Sequence, residues 1–264
     1  MGAPAVSVVV PFFNEAGNAA ALAERIRAVF EKTPELTYEC VFVDDGSRDG
    51  TGGELARIAA ADQRVRVLHF RENKGQSAAL YAGMQHGRGN VILTMDGVLQ
   101  NDPADFPRAV ELLKDYDFVC GVRVNRQDSW SRKVSSRVAN RVRNWVLRDG
   151  ISDTGCGLKG FRRNCLEHFV CFNGVHRFFA VFVRNAGLRI VECPVEHHPR
   201  QRGQSKYGVG NRLWRGMFDL VGVAWLRRRH VVYELVDAPF MPPAHVQVGA
   251  VDESLAQAAA HRET

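Results

Sequence analysis

An open α/β domain is the fold that this sequence predicts, with a mostly parallel central sheet and helices on both faces. Three observations carry it. Apolar, β-branched runs of strand length alternate with segments of helical period from the start of the chain to about residue 122. That alternation favours parallel pairing with helices packed on either face. Successive runs end in turns rich in Asp, Asn and Gly, and 264 residues suffice for one large core.

The elements follow in order. Val6–Phe12 reads as a buried strand, and Asn18–Glu31 as a helix through Leu22, Ile26, Val29 and Phe30. Glu39–Val43 is a second strand, Thr51–Ala60 a helix and Val65–Phe70 a third strand. Gln76–Gly87 is helical, with Ala78, Ala79, Ala82 and Gly83 permitting close packing. Val91–Met95 is a strand, Ala104–Lys114 a helix and Asp117–Val122 a strand. Ser131–Arg148 then reads as an amphipathic helix with Val134, Val138, Val142 and Trp145 on one face, and Arg132, Lys133, Arg137, Arg141, Arg143 and Arg148 elsewhere. Ser152–Arg163 is glycine-rich around short strand-like pieces, His176–Ala186 is an apolar helix and Leu188–Val195 a strand. A polar basic loop, 197–208, precedes a last helix, Asn211–Arg229, striped with Leu213, Trp214, Met217, Phe218, Val221 and Trp225. The organisation is thus one domain over 1–230, with 131–148 and 211–229 as candidate interface helices, and a weakly ordered tail over 231–264.

The chemistry collects where strands run out. The central stretch is Val91–Pro103, VILTMDGVLQNDP: a strand that ends at Asp96, followed by Asp102 as N-cap, Pro103 at the first helical position and Asp105 in the first turn. An acid at the carboxyl end of a strand is where open α/β sheets place ligand chemistry. Pro11-Phe12-Phe13-Asn14-Glu15, Asp44-Asp45-Gly46-Ser47 and Asn73-Lys74-Gly75 cap the earlier strands in the same way. Together the four suit a nucleoside diphosphate: carboxylates for base and ribose hydroxyls, a lysine near phosphate and an acid for a cation. Neither GxGxxG after the first strand nor GxxxxGK[ST] is present, which argues against a dinucleotide dehydrogenase and a P-loop enzyme.

Charge and cysteine usage bound the partners. With 35 Lys+Arg against 29 Asp+Glu the net charge is +6, mildly basic and suited to an anionic partner. The arginines lack the aromatic-stacking context of nucleic-acid modules, so no nucleic-acid partner is expected. The six cysteines form no CxxC pair; Cys40, Cys120 and Cys193 lie in strand-like runs, and buried thiols in a reducing compartment are expected. Cys156 reads as packing and His197-His198 as loop polarity. No basic signal-peptide region and no apolar run of about 18 residues is seen, so neither a leader nor a spanning helix is expected.

The segments VVVPFFNE, FVDDGSRDGT, RENKGQSAAL, MDGVLQNDP, ISDTGCGLKGFRR and QRGQSKYG resemble the inverting family 2 glycosyltransferases of GT-A fold, and within them the polyprenyl-phosphate sugar transferases of the dolichol-phosphate mannose synthase type. The resemblance runs from about Ala5 to Arg229. It implies a donor-nucleotide pocket lined by Pro11, Asn14, Glu15, Asp44, Asp45 and Lys74, and a diphosphate and metal site at Asp96 and Gln100 taking Mg2+ or Mn2+. It places Arg123, Arg132, Ser135 or Ser136, and Ser205 at an acceptor phosphate, and Asp153 near the donor sugar. Arg202, Ser205 and Lys206 fall on a loop that closes over donor and acceptor, which makes Asp96, Arg123, Arg132, Arg202 and Lys206 the catalytic candidates. The implied partners are a GDP- or UDP-linked sugar, a polyprenyl (undecaprenyl or dolichyl) phosphate and a membrane surface. The implied location is peripheral, on the cytoplasmic face, in cell-envelope glycan synthesis.

One position departs from the pattern. The family motif is Asp-x-Asp followed by Leu-Gln, and here the second acid is Val98. An apolar group cannot ligate a hard cation, although magnesium often takes only one or two carboxylates and fills its shell with phosphates and water. A weak enzyme, an inactive nucleotide- and membrane-binding relative, and an active substituted variant are all compatible with that change. The chemistry asks little of a base: a phosphate monoester, with a second pKa of about 6, is already largely ionised near neutrality. Its burden is repulsion from the donor diphosphate, which arginines relieve by charge-assisted contacts. Trp145, Trp214 and Trp225 beside arginines on two amphipathic helices suit the headgroup region of a bilayer.

Overall fold

The computed structural model describes residues 3–124, 130–198 and 209–229, and their side chains except over 130–137 and 209–215. Seven strands form one sheet: β1 (Val6–Phe12), β2 (Tyr38–Asp44), β3 (Val65–His69), β4 (Val91–Thr94), β5 (Phe118–Arg123), β6 (Lys159–Arg162) and β7 (Ile190–Val195), in the order β3-β2-β1-β4-β6-β5-β7. β1 pairs in parallel with β2 and with β4, β2 with β3, and β5 with β7. Among these seven described strands only β6 runs against its neighbours, antiparallel to β4 and to β5.

Alternation along β1 builds a core on each side. Val6, Val8, Val10 and Phe12 enter one cluster with Leu22, Ile26 and Phe30 of α1 (Ala19–Glu31), Leu55 of α2 (Thr51–Ala61) and Phe106 of α4 (Phe106–Leu112). Val9, Val41 and Val43 face Ala79, Leu80 and Met84 of α3 (Gln76–His86) and Phe179 and Phe182 of α6 (Phe179–Asn185) in the other. Each buried side chain of this size contributes about 1.5–3 kcal/mol. The expected cap is in place: Asp102 accepts the Ala104 amide at 3.0 Å, with Pro103 opening a 3-10 turn before α4. The helix expected over His176–Ala186 is divided into a 3-10 turn, Val175–Arg177, and α6. Phe178 breaks it at φ −120°, and Ser77 Oγ holds the preceding turn by accepting the Gly174 amide at 2.8 Å.

The long helices are α5 (Trp130–Leu147) and α7 (Val209–Arg229), which pack on one another. Arg143 of α5 is buried: its Nε donates to Asp149 Oδ2 at 2.9 Å and its Nη1 to Thr154 Oγ1 at 2.6 Å. The guanidinium also reaches the Ile151 carbonyl, so it ties α5 to the loop ahead of β6. By contrast Val138, Val142 and Trp145 stay exposed, as do Met217, Phe218, Val221 and Trp225 on α7. The Trp214 side chain and the tail over 231–264 lie outside the described residues. Among those described, no helix is long and apolar enough to cross a membrane.

Breaking a buried pair by removing one partner strands a desolvated charge. Asp149→Ala is expected to cost about 3–5 kcal/mol of stability, read as a lowered denaturant midpoint. An unchanged midpoint would contradict a structural role for the pair.

Candidate active site at the carboxyl edge of the sheet

The strand order reverses at β1: β2 and β3 lie on one side of it and β4 on the other. Ligands of open α/β sheets bind at that switch point, outside the carboxyl ends of the strands. The loops after β1, β2, β3 and β4 all open there, so the fold brings Pro11, Asn14, Glu15, Asp44, Asp45, Lys74 and Asp96 to one edge.

The first three loops are stitched to each other. Asn14 takes φ +51°, a left-handed conformation that Asn tolerates. Its amide donates to Ser47 Oγ at 2.9 Å and its Oδ1 accepts the Arg48 amide at 2.8 Å. Glu15 is buried, donates its amide to Thr51 Oγ1 at 2.9 Å and accepts Asn18 Nδ2 at 2.8 Å. Asp44 accepts the Ser47 amide at 3.0 Å and lies 3.2 Å from His69 Nδ1. Asp45 organises the next loop, accepting Asn73 Nδ2 at 2.8 Å and the amides of Lys74 and Gly75 at 2.7 and 2.9 Å. Burial pushes the Asp45 carboxyl above its usual range, against the lowering effect of those two amides. Gly46, at φ +69°, lets the two loops touch: a Cβ there would lie 2.5 Å from the Glu72 carbonyl carbon. Lys74 meets Asp45 through its amide, while its ammonium pairs with Glu72 at 2.5 Å on the surface.

Asp96 is placed by the antiparallel strand. Thr94 pairs with Lys159, and continuing that register sets Asp96 opposite Gly157. A Cβ on Gly157 would lie 2.5 Å from the Asp96 Cγ, so the carboxylate is seated directly on that glycine. From the other side Gln76 Nε2 donates to Asp96 Oδ1 at 2.8 Å. Leu99, buried, takes φ +59°, the kind of local strain that clusters at functional sites. Gln100 is half-buried; its carbonyl accepts the His198 amide at 2.8 Å, and Asn101 forms a β-bridge with His197. His198 Nε2 lies 3.5 Å from Asp102 Oδ2, so the two histidines brace this turn.

Arg123, at the end of β5, and Asp153 form a bidentate pair, Nε to Oδ2 at 2.7 Å and Nη2 to Oδ1 at 2.9 Å. Asp153 therefore orients Arg123 directly. Arg132, Ser135 and Ser136 lie on α5 where side chains are not described, and Arg202, Ser205 and Lys206 lie outside the described residues. Gln76 and Gly157 escaped the sequence reading, although both sit inside motifs it quoted, NKGQ and DTGCG.

A divalent cation fits this site only in company. Val98 brings no oxygen, and among the described residues no group of three or more His, Cys, Asp or Glu is arranged to hold a metal. The seated Asp96 carboxylate supplies one hard oxygen donor, which suits a cation that arrives with a diphosphate.

Residues 7–170, more than half of the chain, match the model of glycosyl transferase family 2. The chain belongs to that family. It is 37% identical over 219 residues to an undecaprenyl-phosphate 4-deoxy-4-formamido-L-arabinose transferase of Aeromonas hydrophila, covering 82% of this chain and 66% of that protein. It is 36% identical over 229 residues to a dodecaprenyl-phosphate galacturonate synthase of Rhizobium johnstonii, covering 84% and 67%. The chain thus spans about two thirds of the length of these curated relatives. Among solved structures it resembles a mannosyltransferase of Pyrobaculum calidifontis in complex with GDP-Man and Mn2+, with TM-score 0.60 and 21% identity over 89% of this chain and 67% of that one. A glucosyl-3-phosphoglycerate synthase of Mycobacterium tuberculosis, in complex with Mn2+, UDP and glucosyl-3-phosphoglycerate, aligns with TM-score 0.64 and 18% identity over 85% and 80%. The family 2 chain has the GT-A glycosyltransferase fold.

Adding a methyl group under Asp96 tests the seat. Gly157→Ala is expected to lower sugar-nucleotide turnover by about tenfold or more, the 1.36 kcal/mol or greater that a displaced charge costs. Wild-type turnover in a folded Gly157→Ala protein would contradict the close approach.

Proposed function

We propose that this chain transfers a sugar, with inversion, from a GDP- or UDP-linked donor to a polyprenyl phosphate at a membrane surface. The observation that carries the reading is the Asp96 carboxylate, seated at the switch point of a family 2 fold, with Arg123 oriented at the end of β5 on the same edge. The names of the relatives at 36–37% identity support the acceptor class.

The geometry divides the work. The stitched loops at Asn14–Glu15, Asp44–Asp45 and Asn73–Gly75 form the nucleotide end. Asp96, with Gln100 beyond it, would hold Mg2+ or Mn2+ against the diphosphate; when bound, the cation neutralises charge developing on the leaving group. Arg123, with Arg132 and Arg202, meets the phosphate that attacks, and Lys206 acts with the cation on the leaving diphosphate. The guanidinium relieves repulsion between two anions, and Asp153 holds it in one orientation through the bidentate pair. No residue need remove a proton, because the nucleophile is ionised.

The membrane reading rests on the exposed faces of α5 and α7. Trp145 is 81% and Phe218 73% exposed, and a crevice between the helices is lined by Trp145, Val146, Arg148, Ala224, Arg227 and Arg228. Aromatic residues beside arginines fit the headgroup layer of anionic lipid. The six free cysteines suit the reducing, cytoplasmic face. With the rest of the site in place, Val98 weakens the metal site without removing it.

The test incubates the protein with radiolabelled GDP- and UDP-sugars, Mn2+ or Mg2+, and liposomes carrying polyprenyl phosphate. Labelled lipid is expected, and Val98→Asp is expected to raise turnover at limiting metal by about an order of magnitude, for 1.4 kcal/mol of added charge stabilisation. No labelled lipid from either protein would reject the reading. Nucleotide binding without turnover in both would establish a non-catalytic relative.

A further inference from the structure

Gln76 has no part in the nucleotide, metal and acceptor roles assigned above, yet its side chain touches the residue on which they converge. It is the first residue of α3, directly after Gly75 at φ +88°. That start is set by Asp45, whose carboxylate takes the Lys74 and Gly75 amides and the Asn73 side chain. The loop is therefore held from the nucleotide end of the site, and the next side chain along it crosses to the diphosphate end. There Nε2 donates to Asp96 Oδ1 at 2.8 Å. An ionised carboxylate only accepts hydrogen bonds, so the nitrogen end of the amide must face it.

We propose that Gln76 is a positioning residue for the diphosphate-cation site, fixing the rotation of the Asp96 carboxylate about its terminal bond. Gly157 supports the carboxylate by contact alone, whereas the Gln76 amide engages one particular oxygen and so selects which oxygen turns towards it. The contact matters more in this chain than in one with the full acidic motif. Two carboxylates can share a cation and tolerate a loose rotamer in either. A single carboxylate beside Val98 must present its oxygen in one orientation. Partners that orient metal ligands are commonly worth 10- to 100-fold in metal affinity. The inference rests on the proposed reading of this edge as a diphosphate site.

The experiment measures Mn2+ binding to the full chain by electron paramagnetic resonance, with UDP and separately with GDP, and nucleotide binding alone by calorimetry. Gln76→Met keeps length and helix propensity and removes the donor; Gln76→Asn is a second variant whose amide is too short to reach. Both are expected to weaken nucleotide-dependent Mn2+ binding roughly 10- to 100-fold, leaving cation-free nucleotide affinity and the thermal midpoint unchanged. In an Asp96→Asn background the same substitutions are expected to change nothing further, an outcome a merely structural role would not produce. Wild-type Mn2+ affinity in folded Gln76 variants, or an equal loss with and without the Asp96 carboxylate, would overturn the inference alone. Absence of nucleotide-dependent Mn2+ binding in the wild-type chain would overturn the diphosphate reading, and the inference with it.

Discussion

One carboxylate in one seat is the constraint on which this site depends. Asp96 leaves the sheet beside β1, where the strand order reverses, and an antiparallel neighbour delivers Gly157 beneath it. Had β6 run parallel, the glycine-rich turn before it would open at the other edge of the sheet. The reversed strand is thus what brings the 153–157 loop, with Asp153 and its grip on Arg123, to the edge where the loops after β1, β2 and β3 open. Fold and chemistry meet in the register of that strand.

Much of this was legible in the chain itself, because its signals are local. Strand ends followed by Asn-Glu, Asp-Asp-Gly-Ser, Asn-Lys-Gly and Asp-Gly declare a carboxyl edge, and Asp102-Pro103 declares a helix start. What stayed hidden depends on pairing. Arg143 reads as one more arginine on a basic helix until Asp149 and the Ile151 carbonyl are seen around it. Gln76 and Gly157 were inside quoted motifs, but their meeting at Asp96 spans 80 or more positions of chain and requires the sheet order. The turn ahead of Phe178 is likewise held by a residue far back in the sequence, Ser77, which accepts the Gly174 amide.

The replacement of an acid by Val98 changes the balance of charges rather than the architecture. About 1.4 kcal/mol of transition-state stabilisation, an order of magnitude in rate, is at stake when this charged metal ligand is lost. The surrounding structure keeps its strain at Leu99, its brace through Asn101 and His197, and its seated carboxylate. In the proposed reading, charge on the acceptor side is handled separately, by Arg123 oriented at the end of β5 and by the exposed aromatic face of α5 and α7. A donor end built from loops, an acceptor end built from arginines and a single acid between them is a coherent division for joining two anions.

The most direct check of that arrangement is a crystal structure of the chain with a nucleoside diphosphate and Mn2+, with anomalous scattering recorded at the manganese edge. The account predicts one peak shared by a carboxylate oxygen of Asp96 and the diphosphate, with the Gln76 amide still on the other oxygen. A nucleotide bound at this edge with its cation away from Asp96, or with that carboxylate turned off its glycine seat, would contradict it.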